Sequence, residues 1–276
     1  MIAREFMDHK DQLQDFVETT VHLVMHRLNE QSTRDLSRFY SNEIVEDSLC
    51  DLLAPLAERY KLDSKSIAEE FANERLSTII EASRIDAHRY ATEDPALENL
   101  EEVFYASNGF WATVAYRIAN ALLQQKVPII PRAVSSIAHS RTGVDIHPGA
   151  TIHPGLFIDH GTGIAIGCTA VIHSNVNLYN GVVLGTRSKP RKKTDQQTDE
   201  IQKRHPTIHS YVSLYTNAFV GGDVIIGSGS TIGAYAFVCH DVAADSVVLG
   251  KSGSAPLPTE QNTPDKNDVS SIEYMI

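Results

Sequence analysis

No stretch of the 276 residues approaches the roughly 20 consecutive apolar side chains that a helix needs to cross a bilayer. The opening "MIAREFMDHKDQLQDF" also lacks the apolar centre of a secretory signal. A soluble, cytoplasmic protein is the expectation. Cysteine is scarce: Cys50, Cys168 and Cys239 lie far apart and form no Cys-x-x-Cys, which supports neither a disulfide framework nor a zinc knuckle. Positive charge is in deficit, and a formal net charge of -11 disfavours a nucleic-acid or anionic-membrane binder, because such proteins attract phosphate with a basic field. A phosphorylated ligand would have to be met by a local basic patch.

What is present divides the chain into two halves of different period. From about residue 10 to 125 the apolar residues follow helical spacing, as in Val17, Val21, Val24 and Leu28, then Val45, Leu49, Leu52 and Leu56. Asp63 or Ser64 suits a helix cap, and "FWATVAYRIANALLQQ" is an amphipathic run after Gly109. In "ATEDPALENL", Pro95 suits a first helical turn with Asp94 as its cap.

After "VPIIPR" an aliphatic residue returns every sixth position: Ile146, Ile152, Ile158, Ile164, Ala170, Val176 and Val182, without a slip, each followed four residues later by a mostly small residue. The series resumes at Ile208, Leu214, Val220, Ile226, Ile232 and Val238. Such a hexapeptide repeat predicts a parallel β-helix in which three units close one triangular coil and stacked coils bury a continuous core. The expected fold class is therefore α+β: an all-α N-terminal domain (1–140), a β-helix (141–250) and a polar C-terminal tail (251–276). Residues 187–206, "RSKPRKKTDQQTDEIQKRHP", break the hexad and should leave the prism as a loop. Arg187, Lys189, Arg191, Lys192 and Lys193 give its start a positive charge that suits either a solvated loop or a phosphate-contacting flap.

The candidate chemical groups gather around this repeat. An 18-residue coil would set residue 160 over residue 142, making Asp145 and His160 neighbours; a carboxylate bonded to one imidazole nitrogen prepares the other to accept a proton. Arg204 and His205 sit where the loop rejoins the prism, and a guanidinium fork matches a carboxylate. His147, His153 and His209 follow inward aliphatics and should face outward, but His147 and His153 fall on different faces of one coil, so no metal site is expected. Cys168 falls on a hexad position, where a small buried thiol is usual.

The combination "SRTGVDIHPGATIHPGLFIDHGTGIAIG", "GVVLG" and "KRHPTI", with "TEDPA" and "AYRIAN" in the helical half, resembles the serine O-acetyltransferases, from about residue 80 onward. The resemblance implies a left-handed β-helix and transfer of acetyl from acetyl-CoA to the L-serine hydroxyl, yielding the O-acetylserine used in cysteine synthesis. It implies that His160 is the general base, oriented by Asp145, that Asp94 and Asp159 hold the serine ammonium, and that Arg204 and His205 receive its carboxylate. Transfer would be direct, with no metal. Gly185, Arg187, Lys192 and Lys193 are the candidates for CoA contacts. The resemblance further implies a trimer or a dimer of trimers, feedback inhibition by L-cysteine, and a partner, O-acetylserine sulfhydrylase, that captures the C-terminal Ile276. Two departures stand out. Cys168 replaces the acid usual in "GETAVI", and "SLYTNAFVGGDVIIG" is bulkier than the usual small-residue coil. Another hydroxyl acceptor, homoserine or a sugar, and a non-catalytic partner of the sulfhydrylase are the competing readings.

Overall fold

A computed structural model describes residues 10–29, 39–187 and 202–250. Helices come first: α1 (Lys10–Leu28), α2 (Asn42–Tyr60), α3 (Ser64–Glu70), α4 (Leu76–Glu93), α5 (Leu100–Ala106), α6 (Asn108–Gln124) and α7 (Ile130–Thr142), with one π turn, Phe71–Arg75, joining α3 to α4. Among the described residues no helix is long and apolar enough to cross a membrane. Local chemistry sets the starts: Asp63 accepts from Ser66 N to begin α3, and Ser107 accepts from Phe110 N to begin α6. The expectation for Asp94 and Pro95 is corrected. Asp94 ends α4, its Oδ1 accepting from Ala96 N, and Asn99 caps the next helix by accepting from Glu102 N. Pro95 lies in the connecting turn.

From Asp145 the chain winds into a triangular parallel β-helix. Face A stacks β1 (Asp145–Ile146), β4 (Ala165–Ile166), β7 (Val183–Gly185), β10 (Phe219–Gly221) and β13 (Phe237–Val238). Face B stacks β2 (Thr151–Ile152), β5 (Val171–Ile172), β8 (Thr207–Ile208) and β11 (Ile225–Ile226). Face C stacks β3 (Phe157–Ile158), β6 (Asn177–Leu178), β9 (Ser213–Leu214), β12 (Thr231–Ile232) and β14 (Val247–Val248). The second residue of nearly every strand and the residue two before it point inward, so Val144 with Ile146, Leu156 with Ile158 and Val176 with Leu178 are all buried in one cluster. Each such aliphatic contributes about 1.5–3 kcal/mol by leaving water.

The register corrects the unbroken hexad. Asp145 pairs with Ala165 and Phe157 with Asn177, twenty residues apart, whereas Ala165 pairs with Val183 at eighteen. The turn between Ile158 and Ile164 is two residues longer than its counterparts. Ile164 is the spatial equivalent of Val144, not of Ile146, since Asp145 N donates to Ile164 O. Because both inward positions are aliphatic, the six-residue spacing survives while the roles exchange. Cys168 is accordingly half-buried at a corner outside the core.

The first coil has no coil beneath it, and helices supply what its backbone lacks. Tyr90 Oη donates to Ile158 O (3.1 Å) and accepts from Ile158 N (3.2 Å). Tyr116 Oη does the same for Ala150 O and Ile152 N, while Asn120 donates to Pro148 O. Asp86, fully buried, accepts from Gly155 N and Leu156 N on one oxygen and binds Arg117 Nε (2.8 Å) with the other. Burial pushes the Asp86 carboxyl up, while Arg117 and the two amides pull it down. Phe157 lies against Tyr90, ring centroids 4.8 Å apart, within the helical core.

Candidate active site

The two extra residues lift "DHGTG" out of the prism at the corner between faces C and A. His160 there has φ +57° and a side chain 78% exposed. Gly161 follows at φ +86°, where a Cβ would lie 2.7 Å from Val144 Cγ2, so only glycine lets the corner close so tightly on the coil. The carboxylate beside the His160 ring is its neighbour Asp159, at 3.8 Å from Nε2. Asp145 is not in hydrogen-bond or ion-pair contact with His160. The expected adjacency assumed an 18-residue coil, whereas the register here is twenty, Asp145 lying beside Ala165 and Gly163 N donating to Gly143 O.

Helix α4 runs into this corner. Tyr90 fastens it to Ile158, and one turn later Asp94 N donates to Tyr90 O. Beside Asp94, Glu93 is bound by Arg89 (2.7 Å) and by Asn177 Nδ2 (2.6 Å), and Arg89 also reaches Asn177 Oδ1. Burial raises the Tyr179 phenol, and Tyr215, Asp159 and Glu93 raise it further. Glu93 at the end of α4 and Asp159 at the C–A corner both act on the Tyr179 phenol, and Asp94 follows Glu93 in the chain.

Arg204 and His205 lie across face A, at the A–B corner. Thr169, missed in the sequence, holds both: its Oγ1 accepts from Arg204 N (3.0 Å) and His205 N (3.1 Å) and stands 2.8 Å from His205 Nδ1. Thr169 N also donates to Nδ1 (3.2 Å), so the acceptor nitrogen is Nδ1 and the ring proton sits on Nε2. Burial, then the charges of Arg204, Lys203 and His147, bring His205 down to about 4, leaving it a neutral donor near pH 7. The ring lies flat on Gly167, where any Cβ would collide with it. Arg204 Nη2 lies 4.0 Å from Cys168 Sγ, and its buried Nε has no partner. Among the described residues Arg204 has no carboxylate of its own.

His147 is also pushed down to about 4, first by burial and then by Arg132, and its Nδ1 accepts from Gly149 N. His147 and His153 stand on different faces, as their spacing implied, and the stacked column on face B is His153, His173 and His209, with centroids 5.2 and 5.0 Å apart. Among the described residues no group of three or more His, Cys, Asp or Glu is disposed to hold a metal ion. On face A, Gly167, Gly185 and Gly221 fall in register, and rings take the space their side chains would fill, His205 over Gly167 and Phe219 against Gly185 and Gly221. Arg187 lies beside the upper end of this row, Nη1 donating to Cys239 O (3.1 Å). Lys192, Lys193 and Ile276 lie outside the described residues.

A helix-capped, left-handed hexapeptide β-helix with polar groups displayed at two corners of one face is the architecture of a class of acyl-transferring proteins. The chain belongs to the serine acetyltransferase family within it. A serine acetyltransferase of Synechococcus elongatus is 33% identical over 233 residues, 84% of this chain and 70% of that protein. Serine acetyltransferase 1 of Entamoeba histolytica, solved with L-cysteine, superposes with a TM-score of 0.72 at 28% identity, covering 85% of this chain and 86% of that one. The soybean enzyme, solved with serine, gives a TM-score of 0.60 at 27% identity, covering 84% and 96%. No protein-family model matches the chain.

Proposed function

We propose that the protein transfers acetyl from acetyl-CoA to the hydroxyl of L-serine, with His160 as the general base. The observation that carries this reading is the lengthened corner, which displays Asp159 and His160 together beside the helix end that delivers Asp94. His160 takes the hydroxyl proton as the serine oxygen attacks the thioester carbonyl. The new C–O bond forms, the C–S bond breaks, and the proton passes from the imidazolium to the departing thiolate. Asp94 and Asp159 hold the ammonium of the amino acid. Arg204 and the Nε2–H of His205 receive its carboxylate.

In one chain face A separates the two groups, so a second copy must bring its A–B corner to the first copy's C–A corner. A trimer of prisms meets that need and lets Asp145 of face A approach the neighbouring base; pairing of trimers through the helices up to about residue 140 would give a hexamer. Face A at Gly185, with Arg187, Lys192 and Lys193, suits the CoA arm. L-cysteine, an isostere of serine, would compete at the same site, and Ile276 would engage O-acetylserine sulfhydrylase. The cytoplasm is the expected setting.

Release of CoA from acetyl-CoA, measured with L-serine, L-homoserine and a simple sugar in turn, tests the reading against a His160→Ala control. Serine-dependent release that disappears in the variant supports it. Release with homoserine alone moves the acceptor and points to Cys168, and no release from folded protein leaves only the sulfhydrylase-binding role.

A further inference from the structure

The glycines in register on face A make room for aromatic rings. Above Gly185 the Phe219 ring leans over it, 3.0 Å from where a Cβ on Gly185 would stand and in the space that a Cβ on Gly221 would need. Phe237, one coil higher in register with Phe219, stacks on that ring with centroids 4.7 Å apart and planes 9° from parallel. Among the described residues Phe237 belongs to the last strand of face A and no ring follows it there, and it is 63% exposed. A surface phenylalanine at the end of a stack leaves an apolar plane in water, held in orientation by the ring beneath it. Arg187 is fixed nearby, its stem lying over Gly222 and its guanidinium tied to Cys239, the residue two beyond Phe237.

We propose that the Phe219–Phe237 stack is the platform on which the adenine of the acyl donor lies, with Arg187 meeting its phosphates. The inference rests on the reading that the donor is acetyl-CoA. Coenzyme A is a thin thiol arm ending in a purine nucleotide. From Gly167 to the coil of Phe237 face A rises by three strand spacings, about 14 Å, a distance over which an extended arm reaches from beside His205 to the stack. A flat apolar ring flanked by a guanidinium suits a base with adjoining phosphate; an acceptor amino acid has no group to place there. Stacking of a base on an aromatic ring is sequence-tolerant and of useful strength in water.

Calorimetric titration of the full chain with CoA and with pantetheine, which lacks the nucleotide, tests the assignment in wild type, Phe237→Ala and Phe237→Trp. The expected result is a loss of about tenfold in CoA affinity for Phe237→Ala, unchanged pantetheine affinity, and recovery of CoA binding in Phe237→Trp. Equal effects on both ligands, or none on CoA, overturn the platform while leaving the acetyl-transfer reading intact. Absence of CoA binding to the wild-type chain overturns both.

Discussion

His160 and His205 flank the same face of the prism and are held in opposite ways. His160 stands on a left-handed corner two residues longer than its counterparts, mostly in water, with the Asp159 carboxylate 3.8 Å away. His205 is 5% exposed, laid flat on a glycine, bonded at Nδ1 by Thr169 and kept neutral by burial and the nearby positive charges. On the proposed reading the difference suits two tasks that one residue type can perform. A base must gain and lose a proton in each cycle, and solvent access together with a neighbouring carboxylate allows that. A donor for a substrate carboxylate must keep its proton in one place, and burial with a fixed tautomer achieves it.

The largest effect should come from His160→Ala. We expect kcat for serine acetylation to fall about 10²–10⁴-fold, with the urea midpoint unchanged because so exposed a ring carries little packing. A comparable loss of stability would break the comparison. Gly167→Ala should act on the other histidine without touching it: the new methyl displaces the His205 ring, raising the KM for serine about tenfold while kcat changes less, as steady-state kinetics would show.

Acidification tests His205 and His147 by stability. Unfolded histidine titrates near 6.5, and folded His205 and His147 near 4, so between those values the unfolded chain holds more protons and stability rises with pH. Denaturant midpoints should therefore fall as pH is lowered from 6.5 toward 4, and His205→Gln should flatten part of that slope. The smallest change is expected from Thr169→Val, which removes the hydroxyl serving Arg204 and His205. It should cost about 1 kcal/mol in chemical denaturation, with Thr169→Ser closer to wild type.

Much of this was legible in the chain. The hexad announced a stacked, triangular core, and the change of period after residue 125 marked where helices give way to strands. "DHGTG" and "KRHP" stood out because polar groups interrupt an apolar rule. The lengthened turn did not show, since two inward aliphatics per unit let Ile164 continue a count it no longer belonged to. That error placed Asp145 against His160 and Cys168 in the core. Asp94 was mistaken for the cap of the next helix because Pro95 invites that reading, whereas Asn99 has the free amides ahead of it. Thr169 gave no signal, as its importance comes from a residue 36 positions later that folds back onto it. The column of His173 with His153 and His209 is likewise a matter of stacking across coils.

The side chains that satisfy the first coil also decide what the prism may join. A strand edge with free amides and carbonyls is a template for another strand, and a stacked prism offers three at one end. Tyr90, Tyr116, Asn120, Asp86 and Arg117 occupy hydrogen-bonding sites there. A chain shortened to begin at the first strand would present that end bare, and its natural partner would be the far end of another prism. The helices are thus what keeps growth finite: they allow association side by side, where the two corners can meet, and forbid the end-to-end addition that would make a fibre.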